Sequence, residues 1–303
     1  MPTPTAPVTN NSARDVSKNA MRGLAFMAAG FFLFAIVDTL AKFLTSSLHP
    51  IQIVWSRQFG LLFGVLILLA IRGRALLRTN HLGLQITRGS LAACSATLFV
   101  MAVTYVPLAD AVAVSFVAPF FVTVMGALIL RERVGMRRWI AVSIGFAATL
   151  IIVRPGLGVI HPAVLLVVIA AALFAARQIL SRMLSCSDET ATTVAYTALV
   201  GSSILTMPLF FVWKTPQSWF EISLLVGMAC LAACAEVLVI KALEIAQAVV
   251  VAPVQYSMLL WSTLYGWLIF DQLPDFWTAT GAVIIVATGL YTINRERLAA
   301  RAA

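Results

Sequence analysis

Apolar residues run along this chain in blocks of about twenty, broken by short polar corners. A helix needs ~20 mostly apolar residues to cross the hydrocarbon of a bilayer. Ten blocks fit: residues 23–43, 51–71, 89–106, 109–130, 139–153, 162–180, 191–212, 222–240, 248–270 and 276–293. Several corners are only a few residues long, which predicts that sequential helices are antiparallel neighbours. The pattern therefore predicts an all-α integral membrane protein with ten transmembrane helices.

The chain also reads as one unit written twice. Leu91-Ala92-Ala93-Cys94 returns in the second half as Leu231-Ala232-Ala233-Cys234. The same shift lays Phe34-Ala35, Leu40, Lys42 and Leu44-Thr45 on Phe174-Ala175, Leu180, Arg182 and Leu184-Ser185. Ten helices divide into five per copy, and five is odd, so the second copy must enter the membrane from the opposite side. Inverted repeats of this kind belong to transporters that alternate access around a midplane site. The expected units are a disordered cytoplasmic tail over 1–21, a first five-helix repeat over 22–156, a second, inverted repeat over 157–295, and a short tail over 296–303.

Charge orients the helices. Lys and Arg collect at every second corner: Arg14, Lys18 and Arg22 before the first block; Arg72, Arg74, Arg78 and Arg88 after the second; and Arg131, Arg133, Arg137 and Arg138 after the fourth. The sixth block ends with Arg177 and Arg182, and the C-terminus carries Arg295, Arg297 and Arg301. The alternate corners hold one basic residue or none. Cytoplasmic loops are the basic ones, so both termini are expected in the cytoplasm.

Composition closes off other classes. The 303 residues are 61% hydrophobic and 11% charged, with mean hydropathy +0.97, against about 25% charged in soluble domains. The net charge of +9 is absorbed by the basic cytoplasmic corners, so no nucleic-acid partner is implied. The chain does not open with a basic region, short apolar run and cleavage site, and its first helix is expected to remain in the mature protein. Cys94, Cys186, Cys230 and Cys234 have no nearby His. They are read as small buried hydrophobes rather than a metal site, and no cofactor is expected.

The stretch Tyr105-Val106-Pro107-Leu108-Ala109-Asp110-Ala111, then Ala118-Pro119-Phe120-Phe121, Leu130-Arg131-Glu132-Arg133, Trp139 and Arg154-Pro155-Gly156 resembles the EamA branch of the drug/metabolite transporter superfamily. Ala246-Gln247-Ala248, Ala252-Pro253, Phe270-Asp271 and Gly281 repeat the theme, with Asp271 standing where Glu132 stood. The resemblance covers residues 22–295. It implies a ten-helix transporter of small metabolites in the bacterial cytoplasmic membrane, similar to exporters of amino acids, aromatic ones included.

Polar residues inside membrane helices tend to face a cavity or a partner, because charge in hydrocarbon costs at least ~2.5–3.5 kcal/mol. Asp38, Arg57 and Gln58 are expected toward the outer half, with Asp38 within reach of Arg57. Arg177, Gln178 and Glu236 are expected toward the inner half, with Arg177 and Glu236 able to pair. Lys42 and Lys241 are read as reaching for headgroups. Trp55, Phe59, Tyr105, Phe116, Tyr196, Gln255, Tyr256 and Trp261 complete the aromatic and amide candidates for a substrate cavity, with Gln255-Tyr256 favoured because it follows Pro253 inside a helix. Glu132 and Asp271 are read as helix-end groups.

These features predict a secondary transporter of a small neutral or amphipathic metabolite. No Gly-rich phosphate loop with Lys-Ser/Thr is present in the sequence, so ATP is not the expected driver. A nucleotide-sugar carrier of the same superfamily is the nearest rival, if Arg57 and Arg177 face phosphates. An intramembrane enzyme lacks a convergent catalytic set, and a channel lacks a continuous polar pore. The lipid bilayer and a small molecule are the expected partners, and a monomer suffices to enclose the cavity.

Overall fold

The computed structural model describes residues 10–131, 135–153, 161–184, 187–245 and 252–302. Among them every regular element is a helix. These are α1 (Asn10–Leu44), α2 (Pro50–Arg72), α3 (Leu82–Val103), α4 (Leu108–Ser115), α5 (Ala118–Ile129), α6 (Met136–Val153), α7 (Val164–Leu184), α8 (Thr190–Val212), α9 (Trp219–Ile245), α10 (Ser257–Phe270) and α11 (Phe276–Ala302). Single 3-10 turns cover Gly73–Leu77 and Ala252–Tyr256. Seven stretches among the described residues are long and apolar enough to cross a membrane, and the apolar parts of α6 and α11 are shorter. Glu132, Arg133, Arg154-Pro155-Gly156, Cys186 and Ala246-Gln247-Ala248 lie outside the described residues.

The predicted fourth block is two helices. Pro119 sits in the first turn of α5. It lacks an N–H, and its ring would meet the carbonyl of Ser115 in a continuous helix, so α4 stops there and Phe116 caps it. The ninth block breaks at the corresponding place, where the 3-10 turn Ala252–Tyr256 runs into α10. Such breaks are tolerated at membrane depth where the freed backbone faces protein or a wet cavity. The third block also differs from expectation. Its helix starts at Leu82, so Arg88 is not a loop charge but lies inside α3.

Helix contacts follow the repeat shift, the one that lays Leu91 on Leu231. That shift exchanges α1 with α7, α2 with α8, α3 with α9, α5 with α10 and α6 with α11. Helix α1 packs on α9 as α7 packs on α3, α2 on α9 as α8 on α3, and α5 on α7 as α10 on α1. The pairs α2–α8 and α6–α11 map onto themselves. Single residues obey the same exchange. Gly60 approaches Ala229, and its counterpart Val200 approaches Gly89. Gly30 lies against Ala235, and its counterpart Ala170 accepts a 2.8 Å hydrogen bond from Ser95 Oγ. Among the described residues, two that are not glycine have left-handed backbone, Arg131 (φ 54°) and Asp271 (φ 52°), and the repeat shift lays one on the other. The backbone counterpart of Asp271 is therefore Arg131, not the adjacent Glu132. Asp271 ends α10 through its backbone, its N–H reaching the carbonyls of Gly266 and Trp267.

The three described cysteines are exposed on the helix surface rather than buried: Cys94, Cys230 and Cys234. In a bilayer this surface is solvated by lipid, so a small apolar side chain meets no penalty there.

A polar staple holds the corner between α7 and α8 against the start of α3. Asp188 accepts hydrogen bonds from Thr79 Oγ1 (2.6 Å) and Gln85 Nε2 (2.7 Å). The Thr79 bond, with smaller help from Gln85, holds its carboxyl below the ordinary 3.8 despite partial desolvation. A depressed carboxyl stabilises the fold above its unfolded value and loses that contribution as pH falls through the folded value. Wild-type protein in detergent is therefore expected to lose thermal stability below about pH 4 more steeply than Asp188→Asn. Parallel melting curves between pH 7 and pH 3 would remove this role.

Candidate functional site

A cavity of about 680 Å³ lies where the two halves meet, in the range of drug-sized ligand sites. The repeat exchange organises its wall. Phe34 and Phe174 both line it, as do Asp38 and Gln178, Ser115 and Gln255, and Phe116 and Tyr256, each pair related by the repeat shift. Phe116 and Tyr256 stack on each other with centroids 5.1 Å apart and planes at 22°. A contact between exchange partners lies on the exchange axis, so this stack places part of the cavity wall on that axis. Both residues stand at the breaks described above.

Eight of the fourteen residues proposed from sequence line this one cavity: Asp38, Arg57, Phe116, Arg177, Gln178, Glu236, Gln255 and Tyr256. Trp55, Gln58 and Tyr196 do not. The Trp55 indole N–H donates to Thr206 Oγ1 at 2.9 Å, and its ring packs on Phe59 and Trp213. The Gln58 amide lies against Gly201. The Tyr196 hydroxyl donates to the Leu77 carbonyl at 3.0 Å. All three join α2 or the following 3-10 turn to α8 and its neighbouring corner. Of the remaining aromatic candidates, Tyr105 stacks on His161, and Trp261 packs edge-on against Phe32.

Among the described residues, four charged side chains line the cavity: Asp38, Arg57, Arg177 and Glu236. Arg57 meets Asp38 at 3.1 Å, the pairing expected from sequence. The same expectation fails for Arg177 and Glu236, which do not touch. Among the described residues no ion pair or hydrogen bond joins them, although Glu236 acts electrostatically on Arg177. Each guanidinium lies over an aromatic ring of its own half: Arg57 is 5.7 Å from the Phe34 centroid and Arg177 is 4.8 Å from that of Phe174.

Lys42 corrects another expectation. It does not reach for headgroups. Its side chain is buried, and Nζ donates to the Val106 carbonyl (2.8 Å) and to Gln272 Oε1 (2.9 Å). The corners before α4 and before α11 converge on the end of α1 and supply the acceptors that water would otherwise provide. Arg88 likewise turns inward, donating to Ser181 Oγ (2.6 Å) and Thr197 Oγ1. Sequence reasoning also missed Phe34, Phe174 and Gly289. The two phenylalanines were visible as matched repeat positions, each one helical turn before Asp38 or Gln178. Gly289 carried no local signal.

Gly289 sets the place of Tyr256. A Cβ there would lie 1.8 Å from the Tyr256 Oη and 2.1 Å from its Cζ. Because the obstructed atoms are the end of a side chain, Gly289→Ala is expected to displace Tyr256 from its stack on Phe116 while the fold survives. Transport should fall about tenfold, as for loss of a stacking contact near 1.5 kcal/mol, with melting unchanged within about 1 kcal/mol. Wild-type flux in a well-folded variant would show that the stack does not matter.

The profile of the EamA-like transporter family matches the chain twice, over residues 21–154 and 161–295. The chain is 26% identical over 283 residues to an S-adenosylmethionine uptake transporter of Rickettsia prowazekii (strain Madrid E), covering 93% of this chain and 96% of that protein. It is 30% identical over 285 residues to a riboflavin transporter of Vibrio cholerae, with 93% and 96% covered. It is 26% identical over 266 residues to a pseudopaline exporter of Pseudomonas aeruginosa, covering 87% of this chain and 93% of the exporter. A solved crystal structure with 16% identity superposes at a TM-score of 0.60, covering 93% of this chain and 99% of its own, which establishes likeness of fold. With both halves matched around one shared cavity, this multi-pass membrane protein belongs to the EamA-like transporter family.

Proposed function

We propose that the protein is a secondary transporter that carries amino acids, aromatic ones included, and related small metabolites across the cytoplasmic membrane by alternating access. The carrying observation is the cavity itself, lined by the stacked exchange partners Phe116 and Tyr256 and by charges of both signs. In this reading the chain crosses the membrane ten times with both termini inside. Residues 22–156 and 157–295 act as inverted halves, and one copy encloses the route. The reciprocal helix contacts support inverted halves, since such halves can rock about a fixed site. Export is the proposed direction in the cell. The similar proteins include both an exporter and uptake transporters, so direction follows the gradient coupled rather than the fold.

The charge balance of the cavity weighs against the nucleotide-sugar alternative. Asp38 and Glu236 offset Arg57 and Arg177, which leaves no net positive charge among the described lining side chains for a diphosphate. Purified protein in proteoliposomes tests the reading. Saturable counterflow of L-tryptophan is expected without ATP. Unsaturable ion flux, or no amino-acid flux from well-folded protein, would reject it. For topology, cysteines placed at His49 and Arg74 should label from opposite sides of the membrane. Labelling from one side only would reject the inverted arrangement.

A further inference from the structure

We infer that Arg177 and Glu236 form the head-group subsite of the cavity, built for a zwitterion such as an α-amino-acid group, and that Arg57–Asp38 is its closed, ligand-free counterpart. The inference rests on the transport reading and specifies the ligand's charge pattern.

The two arginines occupy similar scaffolds in opposite halves. Each lies over a phenylalanine, and those phenylalanines are exchange partners. One helical turn after each phenylalanine comes the next exchanged pair, Asp38 in one half and Gln178 in the other. The arginines themselves are not exchange partners: Arg57 comes from α2, whereas Arg177 stands on α7 beside Gln178. In the first half a carboxylate stands within reach, and Arg57 closes on it at 3.1 Å. In the second half the corresponding residue is an uncharged amide. Among the described lining residues, the carboxylate left for Arg177 comes from another helix, α9, and this Glu236 does not touch it.

The open pair faces the cavity. Arg177 and Glu236 are both partly exposed, and both belong to the cavity wall. Opposite charges held apart in a membrane interior are poorly compensated. A ligand bearing one negative and one positive group can satisfy both at once: its carboxylate on the Arg177 fork and its ammonium on Glu236. A plain anion would leave Glu236 opposing it, and a plain cation would leave Arg177 opposing it. The body of the ligand then meets Phe174 and the Phe116–Tyr256 stack, faces suited to a flat ring.

Three probes separate the charges: L-tryptophan, tryptamine, which lacks the carboxylate, and indole-3-propionate, which lacks the ammonium. Competition against radiolabelled tryptophan on purified protein reads their relative affinities. In the wild type, tryptophan should bind at least about tenfold better than either analogue, one charge-assisted contact each. Arg177→Gln should bring tryptamine level with tryptophan. Glu236→Gln should do the same for indole-3-propionate. Gly64→Ala, outside the cavity wall and with open space for the added methyl, should leave the ratios as they are. If Arg177→Gln does not fold, Arg177→Lys replaces it and should narrow the tryptophan-to-tryptamine ratio by severalfold. Variants that weaken all three probes equally would overturn the subsite while saturable tryptophan counterflow upholds the transport reading. Absence of tryptophan counterflow in the wild type would overturn the transport reading itself.

Discussion

Gly60→Ala is expected to destabilise the protein more than alanine at any other described glycine of α2. A Cβ at Gly60 would stand 2.0 Å from the Ala229 carbonyl oxygen and 2.6 Å from its carbon. These are backbone atoms of α9, and no side-chain rotation can clear them. The two helices must separate, which costs about 1–3 kcal/mol and occasionally more. Gly64, one turn later on the same helix, has open space where a Cβ would go. Gly64→Ala should be neutral or stabilise by up to about 1 kcal/mol through helix propensity. Melting of the two variants in the same detergent, compared with wild type, decides the matter. Equal shifts would mean that α2 and α9 do not depend on this contact. Close approach through small residues is how membrane helices associate when burial from water provides no drive, so the effect should persist in lipid.

Asp38→Asn is expected to cost about 3–5 kcal/mol by stranding the Arg57 guanidinium. The pair sits at 3.1 Å, with the Asp38 side chain 8% exposed and that of Arg57 23% exposed. Removing both charges should cost less than removing one, because the remaining polar groups are neutral. A double-mutant cycle with Asp38→Asn, Arg57→Gln and the double variant measures the coupling. Additive losses would show that the pair contributes no mutual stabilisation. The contrast with Glu236→Gln is informative. Glu236 does not touch Arg177, so its removal should change ligand discrimination with little effect on melting.

Much of this architecture was legible in residue order. Apolar block length reports helices because a bilayer imposes one thickness on every crossing segment. The internal repeat by itself set Asp38 against Gln178 and Phe34 against Phe174. Both pairs line the cavity. Charged residues inside apolar blocks were reliable pointers for a related reason: a cavity or a partner is the only economical place for them in a membrane.

The misreadings share a cause. Lys42 and Arg88 stand near block ends, where sequence alone suggests a headgroup or a loop. Their environment is set by distant segments, the corners at Val106 and Gln272 for Lys42, and α7 and α8 for Arg88. Trp55 and Tyr196 carry polar handles that suit a ligand equally well, and only packing against Thr206 and Leu77 assigns them to the scaffold. Gly289, on α11, matters because of the Tyr256 ring, which belongs to the turn before α10.

Sequence by itself determined the helical membrane class, the internal duplication and the set of charges that must be sheltered. Those properties depend on hydrophobicity and spacing, which are local sums along the chain. Tertiary structure alone decided that Arg177 and Glu236 stay apart at the cavity wall, where Arg57 and Asp38 meet as expected. It alone placed Phe116 on Tyr256 at the exchange axis. The Phe116–Tyr256 stack and the separation of Arg177 from Glu236 involve helices far apart in the chain, and such distances are set by how whole helices pack rather than by any nearby residue.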